Sequence, residues 1–248
     1  MGMGVSTLWG RPTDSLVTVS RPVPAFSRIV IQDGVDVVFA TGDYACSITC
    51  KPGNDAYVVT TVSKSVLTIQ LSAVKIGTTV YLSAPSLEMV EVQVAGRFRA
   101  ETPIRGEELL FELKGTASIQ TCGIQARKIT VRQYGTTLFR DLGTLSAHTV
   151  EAALYGVGNM QFHAMQAQHT QLSIKGSGML RVTDSLASSL IDLSVNGLGS
   201  IQCDDVDAGT TKAELKGAGL IRLAGKTAQL QSKVAGIGNL NTDFLKVG

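Results

Sequence analysis

The 248-residue chain is poor in charge: Asp, Glu, Lys and Arg make up 17%, against ~25% in an average globular protein. It has only six prolines, and no apolar run approaches the ~20 residues that a helix needs to cross a bilayer. Too few charges exclude a coiled coil, and too few prolines exclude a collagen-like repeat. A hydrophobic fraction of 44% excludes a disordered tail. The charges present nearly cancel, 22 basic against 20 acidic for a net +2. A nucleic-acid partner needs a clustered basic footprint, so this balance speaks against one.

Catalytic and metal motifs are missing as well. The sequence has no Gly-x-Ser-x-Gly elbow, no Ser/His/Asp order, and no zinc spacing among its four cysteines and three histidines. Cys46 and Cys50 stand four apart in a strand-like segment, which separates their Cα atoms by ~13 Å, beyond disulfide reach. The cysteines therefore read as small core or surface residues. The opening Met1-Gly2-Met3-Gly4 lacks the charged region, apolar stretch and cleavage site of a secretory signal. A chain whose leader had been removed would look the same, and residues 1–15 read as a disordered or appended N-terminus.

What the chain has in abundance is glycine, 26 residues, and much of it is periodic. Five segments share Gly-x-Gly-x-apolar: Gly156-Val-Gly-Asn-Met160, Gly176-Ser-Gly-Met-Leu180, Gly197-Leu-Gly-Ser-Ile201, Gly217-Ala-Gly-Leu-Ile221 and Gly236-Ile-Gly-Asn-Leu240. Weaker copies, without the second glycine, are headed by Gly96, Gly115 and Gly135. From Gly96 to Gly236 the intervals are 19, 20, 21, 20, 21, 20 and 19 residues. A fixed period of this size marks stacked repeats. Between the glycines apolar residues alternate, as in Leu172-Ser-Ile174 and Leu180-Arg-Val182, which is strand periodicity rather than helical spacing.

Aligned on the first glycine, two columns are apolar. Two residues before it stand Val94, Leu113, Gln133, Leu154, Ile174, Val195, Leu215 and Val234; four after it stand Ala100, Ile119, Phe139, Met160, Leu180, Ile201, Ile221 and Leu240. Stacked at the ~4.8 Å strand spacing, these columns become continuous ladders, and eight coils make a rod ~38 Å long. Gln133, the one polar member, must bulge outward or find partners inside. A coil that reverses direction every ~20 residues needs a sharp corner, which glycine supplies at positive φ; the second glycine lets neighbouring coils approach. The predicted fold is all-β, a right-handed parallel β-helix, with a β-sandwich as the alternative. Residues 16–94 read as irregular β coils and an N-terminal cap, and 95–248 as regular coils of one solenoid.

The corners Gly156-Val-Gly-Asn-Met160 and Gly236-Ile-Gly-Asn-Leu240, with the opening Phe26-Ser-Arg-Ile-Val-Ile-Gln-Asp-Gly-Val-Asp-Val-Val-Phe39, resemble the GIN-domain family of auto-transporter adhesin heads. The resemblance spans roughly residues 26 to 247. It implies a β-helix exported to a Gram-negative envelope, at the cell surface, the outer membrane or the periplasm, and it brings no catalytic residues.

Outward positions carry the candidate sites. Five residues after each first glycine stand Glu101, Gln120, Arg140, Gln161, Arg181, Gln202, Arg222 and Asn241. Interposed glutamines keep like charges apart, which is a sufficient structural account. The functional reading is that Arg140, Arg181 and Arg222 form a flat stripe for an anionic glycan, with Tyr134 and Tyr155 as a sugar platform. Asp184, Asp204 and Asp205, with His163 a coil earlier, form a second cluster that could hold calcium or act as an acid/base pair. His148 and His169 have no evident partners. The expected function is non-catalytic adhesion to a glycan or a host or matrix protein. The alternatives are an envelope scaffold and, less favoured, a polysaccharide lyase or hydrolase.

Overall fold

A computed structural model of the chain describes residues 15–73 and 77–248; the stretch 1–15, apart from Ser15, lies outside the described residues. The chain is nearly all strand and winds as stacked parallel coils, a β-solenoid of about eight turns. The regular coils comprise β11 (Glu108–Gly115), β12 (Ser118–Thr121), β13 (Ile124–Gly197), β14 (Ser200–Gly217), β15 (Leu220–Gly236) and β16 (Asn239–Val247). β13 runs through the corners at Gly135, Gly156 and Gly176 without losing its extended hydrogen bonding. Every pairing among these elements is parallel, as Leu180↔Ile201↔Ile221↔Leu240 illustrates.

The N-terminal third is wound differently. β1 (Val17–Arg21), β4 (Ala45–Cys50) and β7 (Thr79–Ala84) pair antiparallel, as do β5 (Val58–Ser63) and β6 (Val66–Leu71). β2 (Arg28–Ile31) lies between β6 and β8 (Met89–Val92), and β3 (Asp36–Thr41) lies between β7 and β9 (Arg97–Ala100), all in parallel register. The coil formed by β2 and β3 is therefore inside the stack, with the later coils β6/β7 and β8/β9 on its two sides. The antiparallel strands finish the end of the solenoid, where an open parallel coil would leave a row of unpaired backbone groups.

The apolar ladders are the core. Leu113, Leu154, Ile174, Val195, Leu215, Ile119, Phe139, Met160, Leu180, Ile201 and Ile221 are all buried. Phe39 stacks on Phe98 with ring centroids 5.9 Å apart, and Phe139 sits between Phe111 at 5.6 Å and Phe162 at 5.4 Å, an aromatic spine along the axis. Gln133 stays inside its ladder opposite Leu113: it is fully buried, its Nε2 donates to the Asn159 carbonyl at 3.3 Å, and its Oε1 has no partner. Four core hydroxyls pair across coils, Thr170 with Ser188 at 3.2 Å and Thr211 with Thr227 at 3.1 Å, Thr121 donates to Asp141 at 2.7 Å, and those of Thr78 and Thr137 have no partner.

The first glycines are corners at positive φ: Gly115 at 76°, Gly135 at 99°, Gly156 at 118°, Gly176 at 137°, Gly197 at 129°, Gly217 at 111° and Gly236 at 120°. They also stack on each other's backbone, so that a Cβ on Gly197 would lie 2.7 Å from the Gly176 carbonyl oxygen. The second glycines are packed as tightly; a Cβ on Gly219 would lie 2.5 Å from the Gly199 oxygen.

The alignment of the first copy needs correction. Gly115 stacks on Val94, not on Gly96, because Ser118 pairs with Arg97, Ile119 with Phe98 and Leu113 with Val92. Val94 is the corner residue of that coil, at φ 62° and 60% exposed, and Gly96 occupies the second-glycine position. The two ladder positions of this coil are Val92 and Phe98; Val94 is exposed, and Ala100 is buried two residues further along the same strand. The corner at 94 then precedes Gly115 by 21 residues, in line with the other intervals.

Gly197→Ala is expected to destabilise the protein by about 3 kcal/mol or more, through both backbone strain and collision with the next coil. Gly53→Ala, at φ 80° with nothing within 4 Å of a new Cβ, loses only about 1 kcal/mol; equal melting temperatures for the two variants would contradict the stacking account. Val94→Gly relieves a β-branched residue held at positive φ and raises stability by about 1 kcal/mol, or ~2–4 °C in thermal melts. A drop in Tm would show that Val94 is not strained.

Candidate functional site

The corrected register changes the arginine column. Gln120 pairs with Arg99 on one side and Arg140 on the other, and Arg181 pairs with Gln202, which pairs with Arg222, which pairs with Asn241. Corner stacking from Gly135 through Gly156 to Gly176 carries the register from Arg140 past Gln161 to Arg181. The column thus reads Arg99, Gln120, Arg140, Gln161, Arg181, Gln202, Arg222, Asn241, with the four arginines exposed and the glutamines between them half-buried. Sequence reasoning placed Glu101 at the head of the column and so missed Arg99. The signal was the 19-residue first interval, which becomes 21 once Val94 is the corner.

Glu101 has a different part, accepting from Arg99 Nη2 at 2.8 Å. Asp204 accepts from both Nε and Nη2 of Arg181, at 3.1 and 2.7 Å. These carboxylates hold two guanidiniums against the sheet and leave Nη1 of each available to donate. Both pairs are about half exposed, so each is worth no more than ~1 kcal/mol. Beside the column, a groove of about 750 Å³ runs from Arg97 and Arg99 past Arg140 to Gly178, floored by small residues such as Ser118, Thr136, Gly158 and Ser177. Small residues hold the second corner positions along it, Ala117, Thr137, Gly158 and Gly178.

The tyrosines do not join the arginines. Tyr134 and Tyr155 stand before the glycine corner and the arginines after it, and neither tyrosine lines the groove. Their rings stack on each other, centroids 5.1 Å apart and 7° from parallel, and Lys175 Nζ lies 5.4 Å from the Tyr155 centroid. A sugar platform needs an open ring face; here the facing surfaces are used by the stack and a cation–π contact, which bind neighbouring coils together. Lys114, one coil before Tyr134, bridges Glu91 at 2.7 Å and Glu112 at 3.1 Å, and the Glu91 hydrogen bond, then that to Glu112, hold its pKa above the usual value.

The aspartates are not gathered into a cation site. Asp204 is occupied by Arg181, and Asp184 and Asp205 sit where the pairing of successive coils slips, between Val182 and Leu186 and between Cys203 and Val206. Among the described residues no group of three or more His, Cys, Asp and Glu side chains could hold a metal ion. His163 and His148 are exposed. His169, expected to have no partner, contacts Asp192 at 2.8 Å across neighbouring coils. The cysteines are free; Cys46, Cys50 and Cys203 are buried, and burial pushes the Cys203 thiol up to about 12. Such a thiol stays protonated and unreactive at neutral pH.

A family model described as "Putative auto-transporter adhesin, head GIN domain" matches residues 25–189 and 170–248. The search of curated proteins found no match. Among solved structures, a "putative adhesin" from Parabacteroides merdae is similar at TM-score 0.78 and 22% identity, covering 91% of this chain and 95% of its own. A "putative adhesin" from Parabacteroides distasonis has TM-score 0.77 at 20% identity, covering 92% and 96%. A second P. distasonis structure, titled "putative lipid binding protein", has TM-score 0.75 at 15% identity, covering 91% and 96%. Identities this low establish a shared fold.

Calcium is expected to leave the protein unchanged: titration calorimetry gives no binding heat, and added calcium or chelator does not move the melting temperature. A calcium-dependent rise in Tm that is lost in Asp205→Asn would restore the cation reading of the acidic cluster.

Proposed function

Because the chain belongs to the GIN-domain family of auto-transporter adhesin heads, we propose that it is a non-catalytic adhesin of the bacterial cell surface that holds an acidic glycan along its arginine column. The observation that carries this reading is the line of four exposed arginines, Arg99, Arg140, Arg181 and Arg222, running along the solenoid, with an open groove beside the first two. Guanidinium forks match carboxylates and sulfates in geometry and charge. A flat stack of parallel strands presents them in a straight line, which suits an extended polymer better than a compact ligand. Ser118, Thr136 and Ser177 in the groove add hydroxyls for the neutral parts of a sugar chain. Adhesion requires no nucleophile or metal. Among the described residues no helix is long and apolar enough to cross a membrane.

A glycan and matrix-protein array probed with the purified chain tests this. Saturable binding to acidic glycans is expected, and it falls by about tenfold or more in the triple variant Arg140→Gln, Arg181→Gln, Arg222→Gln, whose lost exposed contacts each contribute up to ~1 kcal/mol. Absence of saturable binding to any glycan or matrix protein would overturn the adhesin reading in favour of an envelope scaffold. Release of reducing ends or unsaturated sugar from a polysaccharide would overturn the non-catalytic part.

A further inference from the structure

Charge on the column recurs at every second coil, not at every coil. Gln120, Gln161 and Gln202 each separate two arginines, so the arginine positions repeat at twice the strand spacing, ~10 Å. The structural account of this alternation, relief of like-charge repulsion, would be met equally by any uncharged residue in each gap. It does not call for the same amide three times, half-buried each time, in phase with arginines that are exposed each time. An amide offers both donor and acceptor to hydroxyl groups. The column is thus a ruler with a charged mark every ~10 Å and a neutral hydrogen-bonding mark halfway between.

Resting on the adhesin reading above, we infer that the ligand is a linear acidic polysaccharide with one anionic group per disaccharide, bound along the solenoid axis with its charged sugars over arginines and its neutral sugars over glutamines. A polymer charged on every sugar would set half of its carboxylates against glutamine, where no cation compensates them. The two ion-paired arginines, Arg99 and Arg181, alternate with Arg140 and Arg222, which have no ion pair within 4.0 Å among the described residues. All four positions keep the same backbone spacing, because the strands that carry them and the glutamines between them stack in register.

The test shifts the marks without changing the charge. Hyaluronan oligosaccharides, with one carboxylate per disaccharide, and oligogalacturonates of the same number of carboxylates, with one per sugar, are titrated against the wild-type chain and the double variant Arg140→Gln, Gln161→Arg. The wild-type chain is expected to prefer hyaluronan. The shifted variant, confirmed as folded by an unchanged strand spectrum and melt, should bind hyaluronan about fivefold more weakly, the equivalent of ~1 kcal/mol, with the preference between the polymers lost. A second shift, Gln202→Arg with Arg222→Gln, should do the same and guards against a local folding defect at position 161. Equal wild-type affinity for both polymers, or a preference that survives both shifts, overturns the ruler but leaves acidic-glycan adhesion standing. No binding of either polymer, with no binding on the array, overturns both.

Discussion

Everything in this molecule depends on each coil returning to the same corner at the height of the next hydrogen-bond ladder. A parallel solenoid has no hairpins to fix register. Its coils are joined along the stack by backbone bonds, evenly spaced and individually modest, and by side-chain ladders that meet only when those bonds are in register. The corner must therefore fall within one residue of its predecessor, or every side chain beyond it would change sides. Glycine meets this requirement twice, by taking positive φ and by carrying no Cβ into the coil beneath. At Gly197 these coincide: φ is 129° and the space a Cβ would need is held by the Gly176 carbonyl.

The fold was legible because the corner is a chemical necessity repeated at a constant interval. Period, apolar columns and strand alternation all followed from stacking, and the structure keeps Leu113, Ile119, Leu154 and Leu180 inside as the columns require. Legibility failed where the corner was not glycine. Val94 takes the same conformation without the residue that announces it, so the nearest glycine, Gly96, drew the alignment two residues out. The site inherited that error, since Arg99 entered the column only when the coil was moved back. Contacts between coils were beyond the sequence for another reason: whether Tyr134 stacks on Tyr155, or Asp204 turns towards Arg181, depends on side-chain rotamers that no column alignment specifies.

Gln133 shows how much misfit such a stack tolerates. Its Oε1 is buried without a partner and its amide reaches only one carbonyl, at 3.3 Å, yet it remains in line between leucines. Moving it outward would shift the register of its coil against both neighbours, which costs more than one unsatisfied acceptor of about 1–3 kcal/mol. Ladder continuity outweighs local polarity, as expected where nearest-neighbour interfaces carry most of the stability.

The threading of β2 and β3 between coils made of later residues has a consequence for the order of assembly. A solenoid ordinarily grows from a seed by adding one turn at a time. Here the turn synthesised first has both of its edges filled by segments that follow it, residues 66–84 on one side and 89–100 on the other. It cannot be completed until about the first hundred residues are in hand, so that block must close in a single long-range event, entropically costly and slow. Every turn after it needs only the one before. The molecule is thus built on a foundation set all at once, and it comes apart from the opposite end, turn by turn.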